Sequence, residues 1–177
     1  WCVPVSVVGP VLGPVRLWAL ALTATAGVAR GEDDSARSSG AAEPALSIVA
    51  TTGMVADVAQ AVAGERARVE TLMGPGVDPH LYKPTRSDVR RLMNADVILY
   101  NGLLLEGQLT DALIRAATSG KTVVAVTEML SDSDLLEPDE LEGKYDPHVW
   151  MDVATWAKTV AVVRDTLARF DAGGAAV

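Results

Sequence analysis

Two histidines, His80 and His148, are the only imidazoles in the chain, and both close the same tripeptide: Asp78-Pro79-His80 and Asp146-Pro147-His148. With 14 Asp and 9 Pro among 177 residues, Asp-Pro precedes a given His by chance roughly once in 250. Proline removes a backbone donor and fixes φ, which stiffens the approach to the His. The Asp side chain accepts from nearby backbone N–H groups and holds the turn. A stiff loop aiming a neutral imidazole suits a metal ligand, because ligands have to be placed before the ion arrives. The competing reading makes each His a satisfied turn or packing residue. Two identical contexts weigh against it.

The segments around these loops alternate between strand and helix patterns. Leu46-Ser47-Ile48-Val49-Ala50 is a short apolar run suited to a buried strand. After Thr51-Thr52-Gly53, the residues Met54, Val55, Val58, Ala61 and Val62 recur at helical spacing, and Gly64 ends the run. Arg68 to Met73 reads as a second strand, followed by a Gly- and Pro-rich loop through Pro84 that holds His80. Thr85 and Asp88 have capping-box spacing ahead of a short helix whose inner face is Val89, Leu92 and Met93. Asp96 to Tyr100 reads as a third strand, Glu106 to Ser119 as a third helix ended by Gly120, and Thr122 to Val126 as a fourth strand. An acidic loop then leads to His148 and to a long helix from about Asp152 to Arg169. This order predicts an α/β fold, a parallel four-stranded sheet with helices on both faces. Ligands of such sheets sit at the carboxyl ends of the strands. The His80 loop follows the second strand and the His148 loop the fourth, so residues 68 apart in sequence are expected at one edge.

Composition narrows the chemistry further. Hydrophobic residues make up 49%, enough for a packed core. The formal charge is −8, which disfavours nucleic acid, whose binding depends on phosphate neutralisation, and suits a cation or a neutral ligand. A single cysteine, Cys2, excludes an internal disulfide framework and a Cys-rich zinc module. Residues 1–30 hold two Arg and no acid, and the uncharged run Leu17 to Ala29 is too short to span a bilayer but fits a signal-peptide apolar region. Ala24-Thr25-Ala26 and Gly27-Val28-Ala29 offer small-x-small cleavage sites. The competing reading is a buried helix. Cys2 lies upstream of the apolar run, where a lipobox cysteine would follow it, which argues against lipid anchoring through that residue. Residues 31–45 are small, polar and acidic and read as a flexible tether.

Four ordered motifs carry a resemblance to a family. They are Thr51-Thr52-Gly53-Met54; Met73-Gly74-Pro75-Gly76-Val77-Asp78-Pro79-His80-Leu81-Tyr82-Lys83-Pro84-Thr85; Asn101-Gly102-Leu103-Leu104-Leu105-Glu106-Gly107; and Asp146-Pro147-His148-Val149-Trp150-Met151-Asp152. Together they resemble the periplasmic zinc- and manganese-binding solute-binding proteins of bacterial metal ABC transporters, solute-binding protein family 9. The resemblance implies two α/β lobes joined by one long helix, with the metal between them. By resemblance, His80 and His148 are metal ligands from the first lobe. Manganese or zinc would be cargo, delivered to an ABC permease, and the protein would be a monomer that meets the membrane only through that permease. Residues 46–150 would be the N-terminal lobe and 151–177 the start of the connecting helix. A second lobe, which in the family supplies two further ligands, is then expected in a longer protein. Many relatives carry a His after the Asn-Gly-Leu of the third motif. Leu104 stands there and is expected to lie outside the metal's first shell. Zinc-specific members of the family often carry a His- and acid-rich loop before the second motif; the loop Ser131 to Asp146 has seven acids and no His, so the resemblance implies manganese or a mixed metal rather than dedicated zinc capture. It reads either as a cation-collecting rim or as an ordinary solvated loop.

Rival readings rest on less. Gly74-Pro75-Gly76 lacks the Gly-Lys-Ser/Thr ending of a phosphate loop, and its Pro removes a donor. Asp57, Asp88 and Asp96 read as caps or surface charges, and Trp150 and Trp156 as packing residues at the start of the long helix. The expected role is binding rather than catalysis. A metal-dependent hydrolase lobe would need a general base beside an open coordination position, and no HExxH spacing is present. A surface adhesion domain on the same scaffold would be indifferent to chelators. The long helix, read alone, presents an apolar face of Val153, Trp156, Val160, Val163 and Leu167.

Overall fold

A computed structural model of the protein describes residues 46–141 and 143–170. The expected leader (1–30) and tether (31–45) lie outside the described residues. Four strands form one parallel sheet: β1 (Leu46–Ala50), β2 (Ala67–Thr71), β3 (Val97–Tyr100) and β4 (Thr122–Ala125), in the order β2-β1-β3-β4. Four helices connect or follow them: α1 (Gly53–Ala63), α2 (Arg86–Asn94), α3 (Thr110–Thr118) and α4 (Val153–Leu167).

Successive strand residues point to opposite faces, so one apolar run feeds two cores. Ile48 and Ala50 of β1 and Val97 and Leu99 of β3 face α1 and α4, where they meet Val55, Ala56, Ala59, Val163 and Leu167. Val49 and Ile98 face the other way, against Leu92 of α2 and Leu109, Ala112, Leu113 and Ala116 around α3. Helices therefore cover both faces, as the strand-and-helix alternation predicts.

Most boundaries shift by a residue or two from the sequence pattern, and three of the differences have a clear local reason. The second strand ends at Thr71, although Leu72 and Met73 still donate to the carbonyls of Ala50 and Thr51 at 2.9 and 3.0 Å. The third helix does not start at Glu106. That residue has φ −95° and ψ 46°, its side chain turns back into the protein, and a 3-10 turn (Gly107–Leu109) intervenes before α3. The long helix starts one residue past its cap: Asp152 accepts from Ala154 N at 2.9 Å and from Thr155 Oγ1 at 2.8 Å. The capping box at α2 forms as its spacing predicts, with Thr85 and Asp88 bonded reciprocally.

The apolar face expected on α4 is covered only in part within this same unit. Val163 and Leu167 are buried against α1, Trp156 is half-buried, and Val153 and Val160 are exposed. The inner face carries Thr155, Thr159 and Thr166 instead, all buried. Thr159 Oγ1 donates to Trp156 O at 2.7 Å and Thr166 Oγ1 to Val162 O at 2.8 Å. Hydroxyls satisfied by the preceding turn pack as small apolar groups, which a reading by hydropathy misses.

Candidate metal centre

Both histidine loops leave the carboxyl ends of their strands, and they meet. Nε2 of His80 lies 3.3 Å from Nε2 of His148, with ring centroids 5.3 Å apart and planes inclined at 54°. The repeated tripeptide makes the same turn twice. Asp78 Oδ1 accepts from His80 N at 2.9 Å, and Asp146 Oδ1 accepts from His148 N at 2.9 Å. Each is an Asx turn that fixes the backbone two residues on.

Each loop is also fastened at its far side. Tyr82, two residues past His80, donates its hydroxyl to Asp88 Oδ2 at 2.8 Å, and the same oxygen accepts from Thr85 N at 2.8 Å. Burial opposes ionisation of Asp88. The hydroxyl and backbone N–H of Thr85, the Tyr82 hydroxyl and the charge of Arg91 outweigh it and hold the carboxyl below its ordinary value. Burial, with Asp88 adding to it, pushes the Tyr82 phenol up to about 12. His148 leads into a 3-10 turn (Val149–Met151) whose Val149 is buried, and Asp152 then caps α4.

Asp146 does more for His148 than Asp78 does for its own loop. Its Oδ1 also lies 2.6 Å from His148 Nδ1. A carboxylate only accepts, so Nδ1 carries a proton, and in the neutral ring Nε2 presents a lone pair. The backbone N–H of His148 chiefly, and then its ring N–H, hold the Asp146 carboxyl below its ordinary value against a smaller opposing effect of burial. Trp150 stands edge-on to the His148 ring, centroids 5.2 Å apart at 68°. It therefore braces the imidazole.

The separation of the two nitrogens can be compared with what one ion requires. Two imidazole nitrogens bound at ~2.05 Å to a tetrahedral zinc sit about 3.3 Å apart. The observed 3.3 Å meets that requirement. Among the described residues, no group of three or more His, Cys, Asp or Glu gathers as a metal cluster. The pair thus offers two nitrogen donors and leaves the remaining positions of any coordination sphere to other groups.

The other sequence candidates fall where caps and surface charges belong. Asp88 closes the α2 capping box, Asp96 Oδ2 accepts from Ser47 N at 2.9 Å, and Asp57 is exposed. Leu104 is exposed with φ 64° and brings no donor atom. Sequence reasoning assigned no individual role to Asn101 and Glu106. Glu106 is 3% exposed and Asn101 fully buried beneath the histidine loops. Burial pushes the Glu106 carboxyl up, against bonds from Thr51, Asn101 and Gly102 that favour its charged form. The available signal was an acid in an otherwise apolar stretch, Leu103-Leu104-Leu105-Glu106.

A family model described as zinc-uptake complex component A, periplasmic (ZnuA), matches residues 48–177. The chain belongs to the ZnuA family. Similar proteins include the manganese-binding lipoprotein MntA of Bacillus subtilis, 42% identical over 145 residues that cover 81% of this chain and 46% of the relative. The zinc-binding protein TroA of Treponema pallidum is 44% identical over 122 residues, covering 69% of this chain and 39% of TroA. A solved structure of periplasmic TroA superposes with a TM-score of 0.69 at 40% identity, covering 75% of this chain and 47% of that one. The iron ABC transporter substrate-binding lipoprotein MtsA of Streptococcus pyogenes serotype M1 is 39% identical over 113 residues, covering 61% of this chain and 36% of MtsA. The chain spans about half the length, or less, of the curated relatives it matches. The parallel α/β architecture is the one shared with the TroA structure. Among the described residues, no helix is long and apolar enough to cross a membrane.

Proposed function

We propose that the protein captures a divalent transition metal, manganese or zinc, outside the cytoplasmic membrane and delivers it to an ABC permease. His80 and His148 bind the ion through Nε2. The observation that carries this reading is the 3.3 Å approach of two nitrogens from loops 68 residues apart. The protein binds rather than catalyses, and the metal is its cargo. Residues 46–150 form the lobe that presents the two imidazoles, and α4 (Val153–Leu167) packs on that lobe against α1. The donors that complete the sphere come from a partner lobe, in line with the length of the relatives. Names of relatives that specify manganese, zinc and iron support a transition metal without selecting one. Neither the hydrolase nor the adhesion reading gains a residue from the site.

Isothermal titration calorimetry of the full-length protein tests the assignment. His80→Ala and His148→Ala are each expected to lose most of the affinity for manganese and zinc while keeping the parent's circular dichroism. Parent-like binding by both variants would remove the ligand assignment.

A further inference from the structure

Beneath the two histidine loops, β1 and β3 lie side by side where the strand order reverses, and one buried carboxylate joins their ends. Glu106 Oε1 accepts from Thr51 Oγ1 at 2.7 Å and from Asn101 N at 2.8 Å, and Oε2 accepts from Gly102 N at 3.2 Å. Thr51 in turn accepts, through its carbonyl, from the N–H of Met73 at 3.0 Å, where the chain sets out toward His80. Asn101 sends Nδ2 to the carbonyl of Pro147 at 3.0 Å, one residue before His148, and to Gly102 O at 3.1 Å. The chain of contacts therefore runs from one histidine loop to the other through a single carboxylate.

Two further features set this chain of contacts apart from ordinary core packing. Both Nδ2 partners are carbonyls, so the amide orientation is fixed by its acceptors. Oδ1 then stands as a buried side-chain atom without a hydrogen-bond partner. An unmade buried acceptor is destabilising, so strength alone does not account for the residue, whereas its donor reaches the His148 loop. The turn that follows is also strained. Gly102 has φ 95°, and a Cβ there would lie 2.9 Å from Ala125 Cβ, while Leu103 and Leu104 have φ 53° and 64°. Left-handed leucines persist where the surroundings over-determine them. Here Glu106 binds the N–H of Gly102, and Glu128 Oε1 accepts from Leu103 N at 2.9 Å.

We infer that Glu106 and Asn101 are positioning residues that set the separation of the His80 and His148 imidazoles by coupling Thr51 at the end of β1 to Pro147 in the second loop. The inference rests on the metal reading for its functional meaning, but its geometry does not need an ion. Two readouts on the full-length protein test it: cobalt(II) affinity with its visible spectrum, and, in metal-free protein, the nuclear Overhauser contact between the His80 and His148 ring protons.

Asn101→Ala is expected to weaken cobalt binding ~10–100-fold, the usual effect of losing an outer support of a ligand. It should also change the visible bands and abolish the ring contact. Thr51→Val, nearly isosteric, removes one donor to Glu106 and is expected to weaken binding by about threefold or more. It keeps the test open if Asn101→Ala does not fold. Val163→Ala, which loosens the α1–α4 core without touching the network, is expected to lower the melting temperature and leave affinity and ring contact as in the parent. Parent-like affinity and ring contact in the Asn101 or Thr51 variant would overturn the inference. So would a loss of affinity in Val163→Ala matching its loss of stability. The ring contact decides the positioning claim by itself, whereas a parent protein that bound no cobalt would count against the metal reading alone.

Discussion

Asp146 holds both the backbone N–H and the ring Nδ1 of His148, whereas Asp78 is bonded to the backbone N–H of His80. The two matching tripeptides therefore carry unequal weight. Asp146→Ala is expected to lower metal affinity ~10–100-fold, and Asp78→Ala to lower it less. Competition against a chelator of known affinity measures both, and an equal loss would contradict the difference in bonding. Affinity in the parent should fall on acidification, because the proposed ligation needs both imidazoles unprotonated. The two histidines were legible in the sequence because chance does not set Asp-Pro before both. Glu106 and Asn101 were not, since a single acid or amide in an apolar stretch has no pattern of its own. Their roles depend on which strand ends are neighbours, and that is a property of the sheet order.

Elements position these residues, and their stability depends on pH in a way that separates two buried carboxylates. Burial raises the Glu106 carboxyl above its ordinary 4.5, so the folded chain binds more protons than the unfolded chain between those values. Stability therefore falls as pH rises through that window. Asp88 is depressed, so its contribution is present above its ordinary value and is lost as pH falls through the folded one. Urea unfolding across this range is expected to show that Glu106→Gln removes the fall in stability above about pH 4.5 and leaves the acid limb of Asp88 in place. An unchanged profile would contradict the raised carboxyl. The four strands and α2 follow their apolar patterns and capping spacing closely. The start of α3 does not, because Glu106 turns inward to serve the ends of β1 and β3. The face of α4 does not either, because threonines that bond their own helix take the buried positions.

At the scale of the molecule, parallel strands in the order β2-β1-β3-β4 send the loops after β2 and β4 to one edge, though neither strand neighbours the other. That edge was legible from the alternation of strand and helix. The 3.3 Å meeting of the rings was not, since the loops are fastened by contacts such as the Tyr82–Asp88 and Asn101–Pro147 bonds that have no pattern along the chain. An ion binding only the folded state stabilises it by mass action, about 2.7 kcal/mol at a hundredfold excess over Kd. Thermal unfolding with saturating manganese or zinc is thus expected to shift upward, to return on chelation, and to show no shift in His80→Ala. A shift retained in that variant would contradict binding at this pair.

Anomalous diffraction from crystals of the metal-loaded full-length protein tests most directly whether one ion joins the two loops. The expected result is a single peak with Nε2 of both His80 and His148 at roughly 2.0–2.2 Å from it. An ion held elsewhere, with the two rings facing different surroundings, would contradict it.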